Sequence, residues 1–537
     1  MSKKQRTLAI ILGALFVVML VCYFVIIVPL TATEDGSDGD SSSDREMMYV
    51  HTERANIKSI EVKNSYGTYA FVRDKNDKFV IKGCEGASYD ATLFSTLVTD
   101  CGYTLSKATV ENDNAENLAE YGLDEASDPA YYILTTKEDE QYKVWIGDMI
   151  PSNGGYYARA DGENKVYVLD TTLKSTVLSP IEAFVTPTLI YPTSLNTYFM
   201  IDEFSIYHGA YMGEEEDSEG EQGVDTSATD GTAADNGTGT SSEKIKPYVS
   251  FHYVEEADKT IYSSASSFHM DEPGDGIYIP SGYLDSTLQL FIGYAGSETV
   301  KLAPVDADLE KYGLIDAEYS ILLVNNATTT NKNGETEYVP VVNLVYYSDM
   351  QTDEETGVDF RYAYSVLFGI IAKVPYYDCA FLEYDLNTWT SNTLFSVNID
   401  NVSSIQVEGK DTDITFTLRG DGEALVVTDS NSHTPEVKNF RKFYQVILGM
   451  SKGGYVTLTE DQCKALESDE KNVTAKLTIS FEDGNAYVYR FYSYGVQTYY
   501  TINGEGEFYL PTAQVNKLIA DAQRITKDEV VNPDNAY

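Results

Sequence analysis

The chain has 537 residues, 43% hydrophobic and 12% aromatic, a composition that builds packed cores, about two to four at this length, rather than a disordered polymer. Lysine and arginine number 38 against 84 aspartates and glutamates, so the formal net charge is −46, and a surface this anionic repels phosphate backbones and excludes nucleic acid as a partner. Forty-three tyrosines against 2 tryptophans favour half-buried strand positions, where the ring packs and the hydroxyl stays wet.

At the N-terminus, residues 8–28 carry no charge, enough to cross a hydrocarbon core of about 30 Å at about 1.5 Å per residue. Lys3, Lys4 and Arg6 precede the stretch and Glu34 and Asp35 follow it, which predicts a cytoplasmic tail and an exported remainder. Residues 1–30 are therefore expected to be tail and transmembrane anchor, making a single-pass cell-membrane protein with its bulk extracytoplasmic. The rival, a cleaved signal peptide, has a shorter apolar region of about 7–15 residues. A lipoprotein signal needs a small residue where Val21 precedes Cys22. Residues 31–54 read as an acidic Ser/Gly stalk.

Beyond the stalk, Ile57, Ile60 and Val62, then Tyr69 and Phe71, then Phe79 and Ile81 alternate as in three strands. A helix follows, with Leu93, Phe94, Leu97, Val98 and Cys101 on one stripe, Ser88 or Asp90 as its cap and Gly102 at its end. The middle of the chain repeats the order: FSIYHG, YVSFHYV and GIYIP, then Leu284, Leu288, Phe291 and Tyr294 on a helix. Near the C-terminus it returns as NVSSIQVEGKDTDITFTLRGDGEALVV, then a helical stripe of Val437, Phe440, Phe443, Tyr444, Ile447 and Leu448, capped by Thr434. The spacing predicts an α+β protein of three tandem diverged modules, 55–188, 197–398 and 401–532, each of antiparallel strands with one main packed helix. Residues 213–244, acidic and Ser/Gly-rich between strand-like flanks, are expected to be a disordered insertion.

LAEYGLDEA at 118–126 and LEKYGLIDA at 309–317 are the clearest shared letters. Leu118, Tyr121, Gly122 and Leu123, with Leu309, Tyr312, Gly313 and Leu314, fit a helical turn closed by a left-handed glycine, an apolar residue packing back beyond it and the tyrosine wedged on the sheet. This is a structural reading; a ligand-contacting tyrosine is the alternative. The third module has EDQCKALESDE instead.

IKSIEVKN, the Leu-x-x-Tyr-Gly-Leu turn, VWIGD (144–148), YYAR (156–159) and VYVLD (166–170) after an apolar N-terminal segment resemble domain of unknown function 4340. The resemblance implies an extracytoplasmic bacterial protein associated with an ABC-2-type permease and its ATP-binding subunit, and similarity to the C-terminal part of gliding-motility-associated ABC-transporter auxiliary proteins. It supplies no catalytic residue.

Chemical motifs are sparse: the chain lacks a Walker loop, HExxH, paired CxxC and Gly-x-Ser-x-Gly. Five histidines are scattered, and the pair considered for zinc is His208 with His252. DKNDKF and DGSDGDSSSD lack the spacing of a calcium loop. Of five cysteines Cys22 lies in the expected membrane segment and the others read as buried thiols, with a Cys84–Cys101 bridge as the alternative. The expectation is a non-enzymatic, membrane-tethered accessory protein with no catalytic, cofactor or metal residue. The alternatives are a glycan- or peptide-binding envelope module, using aromatics such as Trp145, Tyr156, Tyr157 and Trp389, and an envelope hydrolase.

Overall fold

The computed structural model describes residues 46–49, 51–110, 117–163, 165–193, 200–211, 246–254 and 267–534. Three antiparallel sheets succeed one another. The first holds β1 (Ile57–Asn64), β2 (Gly67–Arg73), β3 (Phe79–Ile81), β4 (Ala108–Val110), β5 (Ala130–Thr136), β6 (Gln141–Met149), β7 (Tyr156–Ala160) and β8 (Val166–Leu169). In the second are β9 (Ile201–His208), β10 (Val249–Tyr253), β11 (Phe268–Glu272), β12 (Glu298–Leu302), β13 (Tyr319–Thr330), β14 (Thr336–Tyr347), β15 (Gln351–Thr352), β16 (Asp359–Ser365) and β17 (Ile370–Pro375). The third has β18 (Val402–Gly409), β19 (Thr412–Arg419), β20 (Val426–Asp429), β21 (Gly454–Tyr455), β22 (Ala475–Phe481), β23 (Ala486–Tyr494), β24 (Gln497–Ile502) and β25 (Phe508–Pro511).

Their orders are β3-β2-β1-β5-β6-β7-β8-β4, β11-β10-β9-β13-β14-β16-β17-β12 and β20-β19-β18-β22-β23-β24-β25-β21, so one permutation of eight strands occurs three times. Register agrees as well. Ile60 faces Phe71 and Leu134, Phe204 faces Phe251 and Leu323, and Ile405 faces Phe416 and Ile479. All nine side chains are fully buried, and since a one-residue slip would turn each to solvent, this shared apolar knot fixes the pairing.

Principal helices are α1 (Ala91–Gly102), α2 (Gly282–Leu290), α3 (Asp306–Lys311), α4 (Val437–Leu448), α5 (Glu460–Glu467) and α6 (Thr512–Ile525). Asp90 caps α1 by accepting from the Thr92 and Leu93 amides at 2.8 and 2.9 Å. Helix α4 begins after Glu436 without a side-chain cap, so Thr434 is not its cap as expected. The third sheet carries two long helices rather than one main helix, with α6 packed against α4.

By contact density the chain divides into residues 1–79 with 95–179, and residues 80–94 with 180–537. The second and third sheets lie in the latter unit and share one continuous core, which runs from Phe204, Phe251 and Trp389 to Phe416, Phe443 and Phe491. Tyr444 and Tyr489 seal it by donating to the carbonyls of Val397 and Leu394 at 2.7 and 3.1 Å.

The expected transmembrane helix is corrected. No helix among the described residues is long and apolar enough to cross a membrane. The longest, α6, has 14 residues and an amphipathic pattern, against the roughly 20 apolar residues a bilayer requires. Residues 8–28 lie outside the described residues, as does the expected insertion at 213–244.

Candidate metal centre

The tyrosine-glycine-leucine turns occupy matching places. Leu118–Tyr121 forms one helical turn; Gly122 follows at φ 65°, and the Leu123 amide donates back to the Leu118 carbonyl at 3.0 Å. At the end of α3, Gly313 has φ 68° and the Leu314 amide reaches Leu309 O at 2.8 Å. Leu123 and Leu314 are buried. Tyr121 meets Tyr157 edge-on at 4.9 Å and Tyr312 meets Tyr362 at 4.8 Å, each partner on the seventh strand of its sheet by chain order in the repeat. The turns join backbone to sheet and gather no titratable cluster. In the third sheet Asn472 does the glycine's work, its amide donating to the α5 carbonyls of Ala465 and Leu466 at 3.3 and 3.0 Å.

Chemistry-bearing side chains converge elsewhere, on β10 and the edge strand β11. Along β11, Phe268 and Met270 face the core while His269 and Asp271 face outward; across the ladder His252 stands directly opposite His269. His252 Nδ1 lies 2.7 Å and His269 Nδ1 3.1 Å from the same Asp271 Oδ1. One ligand atom from each of the three residues falls within 4.8 Å of the others, the one such group among the described residues. The Asp271 side chain is 36% exposed and the His252 side chain 47%, so solvent reaches the cluster, whereas the His269 side chain is 14% exposed.

A turn fixes His269. The Asp275 amide bonds Asp271 O and the Gly276 amide bonds Met270 O, folding residues 272–276 back beneath the imidazole. Gly276 has φ 83°, and a Cβ there would lie 2.0 Å from His269 Nε2. The Nε2 edge is therefore pressed against backbone and Nδ1 is turned to Asp271. Burial works against the Asp271 carboxylate, yet the His269 hydrogen bond and the charge and hydrogen bond of His252 hold it below the usual carboxylate range.

Two imidazoles and one carboxylate are the donor set of zinc and its neighbours, with bonds of about 2.0–2.2 Å and ligand atoms about 3.3 Å apart. The two contacts to Asp271 Oδ1, at 2.7 and 3.1 Å, would open by a few tenths of an ångström, and all three ligand atoms lie within 4.8 Å of one another. Three protein ligands leave at least one coordination position free.

This cluster differs from the pair considered in the sequence. His208 packs against the rings of Tyr248 and Tyr319 at 4.7 and 5.2 Å, and His252 pairs with His269. Available in the sequence was the triplet Ser-Phe-His, at 250–252 and again at 267–269, whose histidines the antiparallel register sets opposite each other. Trp389 is fully buried and Tyr156 nearly so, removing both as sugar-stacking rings. All four described cysteines are free thiols.

Residues 98–251 match the family model of a domain of unknown function, DUF4340. The matched stretch runs from α1 through the first Tyr-Gly-Leu turn to β10 and covers less than half of the chain. No curated protein and no solved structure matches it. With no membrane-crossing helix among the described residues, membrane tethering, the single-pass location and the ABC-2 permease and ATP-binding partners are withdrawn.

Proposed function

We propose that the chain is a non-catalytic, modular binding protein whose second sheet takes up one divalent transition metal of the zinc class through His252, His269 and Asp271. The convergence of three ligands on one outward face carries this reading. Comparison with the sister sheets supports it: the registers that place His252 opposite His269 place Thr417 opposite Thr428 in the third sheet, and Val72 stands at the His252 position in the first. The architecture accommodates other residues there, so the histidines are not a demand of the fold. A binding role accords with a cluster on an open sheet edge, because catalysis draws on a water-excluding pocket.

The test is equilibrium dialysis of the tag-free chain against zinc with elemental analysis, and calorimetric titration. One equivalent is expected, lost in His252→Ala and His269→Ala. A wild-type chain that retains no zinc, or a double variant that still retains one equivalent, overturns the metal site. Zinc-dependent turnover of an acyl or glycosyl probe, abolished by His269→Ala, overturns the non-catalytic assignment.

A further inference from the structure

The outward face of the first sheet carries a row of four side chains on adjacent strands: Lys63 opposite Tyr131, Tyr131 opposite Trp145, Trp145 opposite Arg159. Lys143, two residues from Trp145, lays its ammonium 3.6 Å from the indole centroid and 4.1 Å from that of Tyr131. Arg159 lies over the same indole at 5.5 Å. Two cations thus share one ring.

What sets this row apart is its charge balance. Acids outnumber bases 84 to 38, yet neither Lys143 nor Arg159 forms an ion pair among the described residues. Glu61 and Asp161 stand beside the row but accept from neutral donors, the Tyr131 hydroxyl at 3.3 Å and the Trp145 indole at 2.8 Å. Arg159 Nε is buried without a partner, and its Nη1 makes one long bond to Glu163 O at 3.5 Å.

The sister rows show the alternatives. In the third sheet the row reads Glu408, Lys476, Arg490, Thr501, and its cations meet Glu408 at 3.1 Å and Glu470 at 3.9 Å. The second sheet puts Tyr207, Ser320, Tyr346 and Tyr364 there, without charge. Carboxylate neutralisation and neutral aromatics both fit this place; in the first sheet Lys63 is paired with Asp128, while Arg159 and Lys143 lie against the aromatics Tyr131 and Trp145 without an ion pair.

We propose that Lys143 and Arg159 form an oxyanion site on the first sheet, holding a phosphate group beside Trp145. A phosphate near neutral pH carries about 1.5–2 negative charges, which suits two cations that no carboxylate bonds directly, the Asp161 and Glu61 charges reaching Lys143 only through space. Guanidinium and ammonium together supply a planar fork and a point charge, the usual pairing around phosphoryl oxygens. The chain's net −46 repels anions at long range, but screening over about 8 Å at physiological ionic strength leaves the local cations in control.

Trp145 is a built-in reporter, since the chain has only 2 tryptophans and the other, Trp389, is fully buried in the other unit. The full chain labelled with 5-fluorotryptophan is titrated with inorganic phosphate, glycerol phosphate and sodium chloride of matched ionic strength, and followed by fluorine NMR. Phosphate is expected to move the Trp145 resonance saturably and leave Trp389 in place. Lys143→Gln or Arg159→Gln should weaken binding about tenfold or more, the loss of one charge-assisted bond. Stronger binding of glycerol phosphate assigns the site to a phosphomonoester on an organic body, and equal binding to free phosphate. No saturable shift, an equal shift in chloride, or undiminished binding in the double variant overturns the proposal.

Discussion

Gly276→Ala tests the metal centre without touching a ligand. Gly276 sits at φ 83°, where a residue bearing a Cβ is strained by about 1–3 kcal/mol. The new methyl would also lie 2.0 Å from His269 Nε2 and 2.6 Å from Cε1. Ordinary van der Waals contact begins near 3.4 Å, so the ring must retreat by more than an ångström, and backbone beneath the methyl leaves His269 as the group that moves. That displacement carries Nδ1 away from Asp271 Oδ1, now 3.1 Å distant, by more than the few tenths of an ångström that ligation asks for, and metal–ligand bond lengths hold to within about 0.2 Å. Zinc affinity should fall at least tenfold, read by competition with a chromophoric chelator. Gly274→Ala is the matched control: its φ is 91° and its methyl would strike the Ile277 side chain at 2.6 Å without reaching His269. Both variants should lose comparable stability in urea, and only Gly276→Ala should lose metal. Wild-type zinc affinity in Gly276→Ala, at a stability loss equal to that of Gly274→Ala, refutes the reasoning.

Gly122→Ala and Gly313→Ala should both destabilise, by about 1 kcal/mol for the left-handed backbone, with Gly122→Ala costing more because its methyl meets the Asp148 carboxylate at 2.7 Å whereas at Gly313 the nearest atom is 3.7 Å away; equal losses in urea melts would contradict this. Lys452 is 7% exposed and donates to the carbonyls of Asn387 and Thr390, and burial pulls its ammonium down to about 8 from 10.5. Between pH 8 and 10 the unfolded chain binds the extra proton, so stability should rise with pH by up to about 1.4 kcal/mol per unit, and Lys452→Met should flatten that rise. Burial holds the phenols of Tyr132, Tyr294 and Tyr489 well above their ordinary value of 10.0. Their contribution is intact below pH 10 and lost above it, at about 1.4 kcal/mol per pH unit for each group; phenolate absorbance from these rings should appear only with unfolding, and their free titration in the native chain would refute the assignment.

The threefold repetition of antiparallel strands was legible because alternation survives divergence, Ile60, Phe204 and Ile405 keeping one place though Phe204 is larger than its counterparts, whereas the order of strands within each sheet was not. The glycine turns were legible because left-handed backbone narrows the choice of residue, whereas the third sheet's cap was not, since Asn472 acts through a side chain five residues beyond the end of α5. The candidate metal ligands escaped because His252 and His269 meet only through β10–β11 register, which the histidine positions alone do not give. Trp389 reads from the sequence as a candidate sugar-stacking ring, but a short helix, Leu386–Trp389, turns it into the core.

The core shared by the second and third sheets has a mechanical corollary. Tyr487 of β23 donates to Gly276 O at 3.3 Å, so the loop beneath His269 is clasped by the neighbouring repeat. Cutting the chain near residue 400 would strip solvent protection from both halves of one apolar interior. Those two repeats should therefore melt together, as a single cooperative transition, and tension applied between them would be felt first at the imidazole-bearing edge.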